Sequence, residues 1–157
     1  MSFDKLIVTA SPHIKAGDTT PRIMWHVVAS LVPVIMSSAW FFGISALLVI
    51  AAATLGALIT ERLIGRPGAL HDGSATITGL LLGLSLPSGF PMWMAFLGGA
   101  FGIGFGKTVW GGLGQNAFNP ALVGRAFLQA AFPVAITTWP KPGGSFCTLA
   151  TPIPARR

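Results

Sequence analysis

The hydrophobic positions of the chain fall in long blocks separated by short polar, proline- or glycine-rich intervals, and block length sets the reading. After a polar lead-in at 1–22, the run from Ile23 to Phe42 has roughly 20 residues, enough to cross bilayer hydrocarbon as a helix. Thr20 is a candidate N-cap with Pro21 at the first helical position, Pro33 is expected to kink the helix, and Trp40-Phe41-Phe42 close it with an aromatic belt before a turn at Gly43. A second block, about Ile44 to Ile64, ends in Glu61-Arg62 and Arg66-Pro67. The third, Ala75 to Leu86, has only about a dozen residues before Pro87, too short to cross upright. It is predicted as a half-helix or a span extended by its capping turn, with Asp72 or Ser74 as the cap. Pro87 to Pro91 turn the chain back into a fourth block, Met92 to about Trp110, and Pro120 opens a fifth that runs to Phe132-Pro133 or Ile136. The expected fold is an all-α membrane protein of about five transmembrane or half-membrane helices. A lead-in at 1–22, a membrane domain at 23–136 and a tail at 137–157 divide it.

Composition agrees with the blocks. The 157 residues are 52% hydrophobic and 9% charged, with 20 Gly and a mean hydropathy of +0.72, the profile of membrane helices rather than a soluble core. The net charge of +6 does not indicate nucleic acid, because the ten Lys and Arg residues are scattered at the ends of apolar blocks instead of forming a basic face. Their distribution orients the chain. Lys5, Lys15 and Arg22 precede the first block, Arg62 and Arg66 follow the second and Lys107 ends the fourth, while the turns at Gly43 and Pro87–Pro91 carry none. The positive-inside tendency then places the N-terminus in the cytoplasm and, after five crossings, the tail outside, although Lys141, Arg156 and Arg157 run against it. A lone Cys147 excludes an internal disulfide and a cysteine-held cluster, and no short apolar run with a cleavage site suggests a signal peptide.

The most chemically suggestive interval is Gly111-Gly112-Leu113-Gly114-Gln115-Asn116-Ala117-Phe118-Asn119-Pro120, a polar glycine break followed by Arg125 about one turn into the fifth helix. In a membrane, irregular backbone is either buried in protein or lines a wet cavity. The break thus reads equally as a ligand cradle, using freed N–H groups, Asn116, Asn119 and Arg125, or as a buried structural corner. Gly102 to Thr108 is one residue short of a phosphate loop and follows an apolar helix, so helix packing with Lys107 at the interface is the better reading. Gly98, Gly102 and Gly106 on the fourth segment, and Gly79 and Gly83 on the third, leave bare backbone faces, and these two segments are the expected partners. His26 alone among the histidines lies inside a span, which argues against a haem pair. No span carries a carboxylate in its middle, so an ion path would use partner subunits, or carbonyls and the hydroxyls of Thr76, Thr78 and Ser85.

At these residues the sequence resembles a known family. Ser11-Pro12-His13, Asp72-Gly73-Ser74-Ala75, Thr78-Gly79-Leu80, Lys107 with Gly111 to Asn116, Phe118-Asn119-Pro120-Ala121, Gly124 and Phe132-Pro133 look like the D subunit of the Rnf electron-transport complex and its relative, the B subunit of the Na+-translocating NADH:quinone reductase. The short lead-in before Ser11 favours the Rnf member. The resemblance implies a membrane subunit of a redox-driven pump that passes electrons between ferredoxin and NAD and exports Na+ or H+. It implies FMN bound covalently through its phosphate to a threonine. The stretch Ser145 to Ile153 places that threonine at Thr151, with Ser145 where the family has an acidic residue. A second, non-covalent flavin such as riboflavin is also implied. So are C, G, E, A and B type partner subunits, the lipid bilayer and a flavin-attaching transferase. The family fold has two inverted five-helix halves that bury their faces against each other, and this chain corresponds to the first; a single half is then expected to leave its glycine faces unpaired. Two other functions compete with this one: half of a non-redox transporter or channel, and an assembly subunit without flavin.

Overall fold

The computed structural model describes residues 19–65 and 68–141. Among the described residues six α-helices make up the bundle: α1 Thr20–Phe42, α2 Ile44–Ile64, α3 Ser74–Ser85, α4 Met92–Ile103, α5 Pro120–Ala131 and the short α6 Pro133–Thr137. By length and composition α1 and α2 can each cross a membrane, and the described residues form an all-helical membrane bundle as the apolar blocks indicated. Residues 142–157, which include Thr151, lie outside the described residues.

Element boundaries follow local chemistry. Thr19 is the N-cap of α1, one residue before the expected Thr20, and Pro21 occupies the first turn, where its missing N–H removes no hydrogen bond. The helix runs unbroken through Pro33 to Phe42. At Gly43, φ 72° and ψ −163° reverse the chain while its N–H still reaches Ala39 O at 2.8 Å, so α2 begins at once. The third segment is a half-helix of 12 residues, about 18 Å long. The fourth departs from expectation: the α-helix stops at Ile103 rather than Trp110, and Gly104–Thr108 form a π-helical turn. Val109 N–H bonds back to Gly104 O at 3.2 Å, the five-residue spacing that widens such a turn. Phe132, with φ −134° and ψ 58°, breaks α5 from α6, and Pro133 starts the new helix.

Packing depends on close backbone approach, as it must where lipid gives apolar side chains little reason to cluster. Gly56 and Gly99 lie against the Phe96 and Ala53 carbonyls, joining α2 to α4. Gly83 sits where a Cβ would come within 2.6 Å of Ile50 Cα on α2. Gly98 and Gly102 face Leu128 and Pro120 of α5, and Gly124 returns the contact to the Gly98 carbonyl. Two expectations are corrected here. The glycines of the third and fourth segments do not pair with each other, since Gly79 and Gly83 face α2 while Gly98, Gly102 and Gly106 face α5. Nor are these faces left open, because the bundle satisfies them internally. The core between them is Val49, Ala53, Leu82, Leu86, Phe90, Ala95, Ala121, Leu128 and Ile136. By contrast α1 buries only Ala39.

These contacts also give direction. Gly79 meets Thr54 and Gly83 meets Ile50, so α3 runs antiparallel to α2. Gly56 meets Phe96 and Gly104 meets Thr60 and Ile64, so α4 runs parallel to α2; Gly98 meets Leu128 and Gly106 meets Pro120, so α5 returns antiparallel. The end of α2, the start of α3, the π turn and the glycine break therefore gather at one end of the bundle.

Candidate functional site

At that end four polar residues from four elements meet. Glu61 lies in the last turn of α2, Asp72 ends a 3₁₀ turn at Ala69–Asp72, Ser74 opens α3, and Lys107 projects from the π turn. The Lys107 ammonium pairs with Glu61 Oε1, donates to Ser74 Oγ and lies 3.7 Å from Asp72 Oδ2. Asp72 Oδ1 accepts from Ser74 N–H at 2.8 Å and from its hydroxyl at 2.6 Å, which holds the α3 N-terminus in place. Lys107 is 3% exposed and Glu61 2%, so Lys107 packs at the interface between helices, buried from solvent. The π turn is the local cause: one extra residue in the last turn of α4 rotates Lys107 inward toward α2 and α3.

One lysine cannot neutralise two carboxylates, so the cluster carries a formal charge of −1 when all three are ionised. Glu61 Oε2 is buried and has no hydrogen-bond partner among the described residues. It borders a cleft of about 240 Å³ lined also by Asp72, Lys107, Thr108, Gly111 and Gly112. Such an arrangement can hold a proton or small cation against the excess negative charge, and it ties α2, α3 and α4 into one unit. Spacing could not reveal this group, because Glu61 and Lys107 are 46 residues apart. The available signal was that both closed apolar blocks running the same way.

On the other side of Lys107 lies a larger cleft of about 380 Å³, bordered by Ser74, Thr78, Lys107 and Asn116 to Pro120. Leu113 and Asn116 to Pro120 of the glycine break form its rim, while Gly111 and Gly112 line the smaller cleft. Gly112 at φ 100° and Gly114 at φ 85° adopt backbone that other residues avoid, with open space around each. The break is not a buried corner: Leu113 to Gln115 and Ala117 to Asn119 are exposed, and Asn116 is half-buried. The reason is that α4 and its π turn already reach the end of the bundle before Gly111. Asn116 Nδ2 donates to Phe118 O at 3.0 Å, and Asn119 Oδ1 caps α5 by accepting from Ala121 N–H at 2.9 Å. Each amide thus uses one atom to shape the loop. Arg125 is elsewhere: its guanidinium donates to the Ser85 carbonyl at the end of α3, outside both clefts.

A short half-helix, a π turn and a buried ion cluster between two clefts mark a helical membrane bundle with interrupted segments. Comparison with known proteins gives the family. The chain belongs to the NQR2, RnfD, RnfE family, whose pattern matches residues 7–156. It is 40% identical over 153 residues to the D subunit of the proton-translocating ferredoxin:NAD(+) oxidoreductase complex of Clostridium ljungdahlii, covering 93% of this chain and 46% of that one. Against the D subunit of the Na(+)-translocating ferredoxin:NAD(+) oxidoreductase complex of Acetobacterium woodii it is 39% identical, covering 85% and 43%. The D subunit of the Escherichia coli ion-translocating oxidoreductase complex is 40% identical, covering 86% and 40%. The chain therefore spans less than half the length of these relatives.

Proposed function

We propose that this chain serves as the first repeat of a D-type subunit in an Rnf complex, an oxidoreductase that couples electron transfer between ferredoxin and NAD to export of Na+ or H+. The names of the relatives support the complex, and the cleft of about 380 Å³ supports a flavin role, because its size falls within the roughly 300–1,000 Å³ of small-molecule sites. Asn116 and Asn119 would hold the polar edge of a non-covalent flavin such as riboflavin, with Phe118 and Leu113 against its apolar part. A flavin there would supply one- and two-electron transfer. The chain's contribution is to orient the ring and to keep the Lys107 charge close to it. A second flavin, FMN, would be attached through its phosphate to Thr151 by a dedicated transferase. In this reading the protein sits in a bacterial or archaeal cytoplasmic membrane with the Lys107 end toward the cytoplasm and Thr151 outside. The C, G, E, A and B type subunits surround it.

The test is expression with the transferase and the remaining subunits. Yellow fluorescence is expected to stay with the denatured band and to vanish in Thr151→Ala, while acid-extractable flavin falls in an Asn116→Leu, Asn119→Ser double variant that keeps the helix cap. A colourless band together with no extractable flavin would defeat the redox reading. Solute uptake by proteoliposomes without an electron donor would instead make the chain half of a transporter.

A further inference from the structure

At the end of the bundle opposite Lys107, Ser88 carries a buried hydroxyl with nothing to bond. The residue is 7% exposed, and its Oγ is buried without a hydrogen-bond partner among the described residues. A buried hydroxyl left so is costly, and in native proteins a ligand or an ordered water usually completes it. Ser88 borders a cleft of about 170 Å³ whose other walls include Ser45 and Leu48 of α2 and Pro91 and Met92 at the start of α4. The parallel helices α2 and α4 thus both begin at this cleft. The first N–H groups of a helix have no partner within it. Neither of these two starts has a side-chain cap, and neither first turn holds an acidic residue. Two positive helix ends therefore open on one space. Among the described residues no carboxylate answers them, since Glu61 and Asp72 both lie at the Lys107 end.

Depth and lining name the ligand. Gly43 turns the chain between two spans and so marks one membrane surface, and Ser45 to Val49 follow within about 9 Å of it along α2. Trp40 and Trp93, 74% and 56% exposed, stand at the same end, as interfacial anchors do. Lipid phosphates meet acyl chains at this depth. Helix N-termini hold anions of this kind through their free N–H groups. The apolar wall of Leu48, Phe90 and Met92 has no use for a free anion but suits a lipid tail. Because Ser88 Oγ is enclosed by this chain's own residues, another helix could cover the mouth of the cleft without reaching the hydroxyl.

We propose that this cleft binds the phosphate group of a membrane phospholipid, with the starts of α2 and α4 and the Ser88 hydroxyl as its donors. The inference rests on the membrane reading and is independent of any flavin. Native mass spectrometry of the full chain, stripped of lipid in detergent and titrated with phosphatidylglycerol, is expected to show a saturable site that Ser88→Ala weakens at least tenfold. Met92→Glu sets a carboxylate at the start of α4, where a helix favours it, and is expected to weaken the lipid as much without lowering the thermal midpoint. Dioleoylglycerol, which lacks the phosphate, reads the apolar wall alone, and inorganic phosphate reads a free anion. Binding of either as tight as that of phosphatidylglycerol would overturn the proposal, and so would unchanged lipid affinity in either variant. The midpoint without lipid is a second check. Ser88→Ala removes a group that has no partner, so it is expected to melt no lower than the parent; a lower midpoint would show the hydroxyl already paired and would also overturn the proposal.

Discussion

Replacing Lys107 by Met tests whether the buried cluster holds the bundle together. The substitution keeps most of the side-chain volume and removes the one cation that, among the described residues, Glu61 and Asp72 share. With Glu61 2% exposed, its carboxylate cannot recover water without opening the helix ends. Breaking one side of a buried ion pair typically costs about 3–5 kcal/mol, because the remaining charge stays desolvated. For a chain of this size each kcal/mol moves the midpoint by roughly 2–4 °C, so a loss of about 6–20 °C is expected. Temperature-ramped gel filtration of the detergent-solubilised protein would read it. Adding Glu61→Gln removes one of the stranded charges and is expected to restore part of the loss, a coupling of about 0.5–3 kcal/mol. A Lys107→Met midpoint within about 2 °C of the parent, or strictly additive effects in the double variant, would refute the argument.

Two further outcomes follow from the packing and the caps. Gly99→Leu drives a side chain into the Ala53 carbonyl, and since overpacking a tight core typically costs about 1–3 kcal/mol even without backbone in the way, loss of the monodisperse gel-filtration peak is expected. Asn119→Ala removes the α5 N-cap and should lower stability by about 0.5–2 kcal/mol, whereas Asn119→Ser should retain most of it; equal midpoints for the two would show that the cap contributes nothing.

The membrane class and most helix limits were legible in the chain, because the factors that set them are local. Block length against bilayer thickness identified α1 and α2, and Pro87 with about a dozen residues ahead of it marked α3 as too short to cross upright. Asn119-Pro120 announced the start of α5, since a capping side chain followed by proline is a helix signal in itself. The glycine break was visible too, and so was Asn116 beside it.

What the sequence determined alone was which segments are helical, where they stop and which stretches are polar, all consequences of neighbouring residues and of lipid refusing unpaired backbone. Tertiary structure decided the pairings. That α4 ends in a π turn, that Lys107 turns inward to Glu61, and that Gly79 and Gly83 face α2 while Gly98 faces α5 depend on how helices far apart in the chain settle against one another. Small-residue faces allow several partners of nearly equal promise, and only the sum of contacts over the whole bundle selects one.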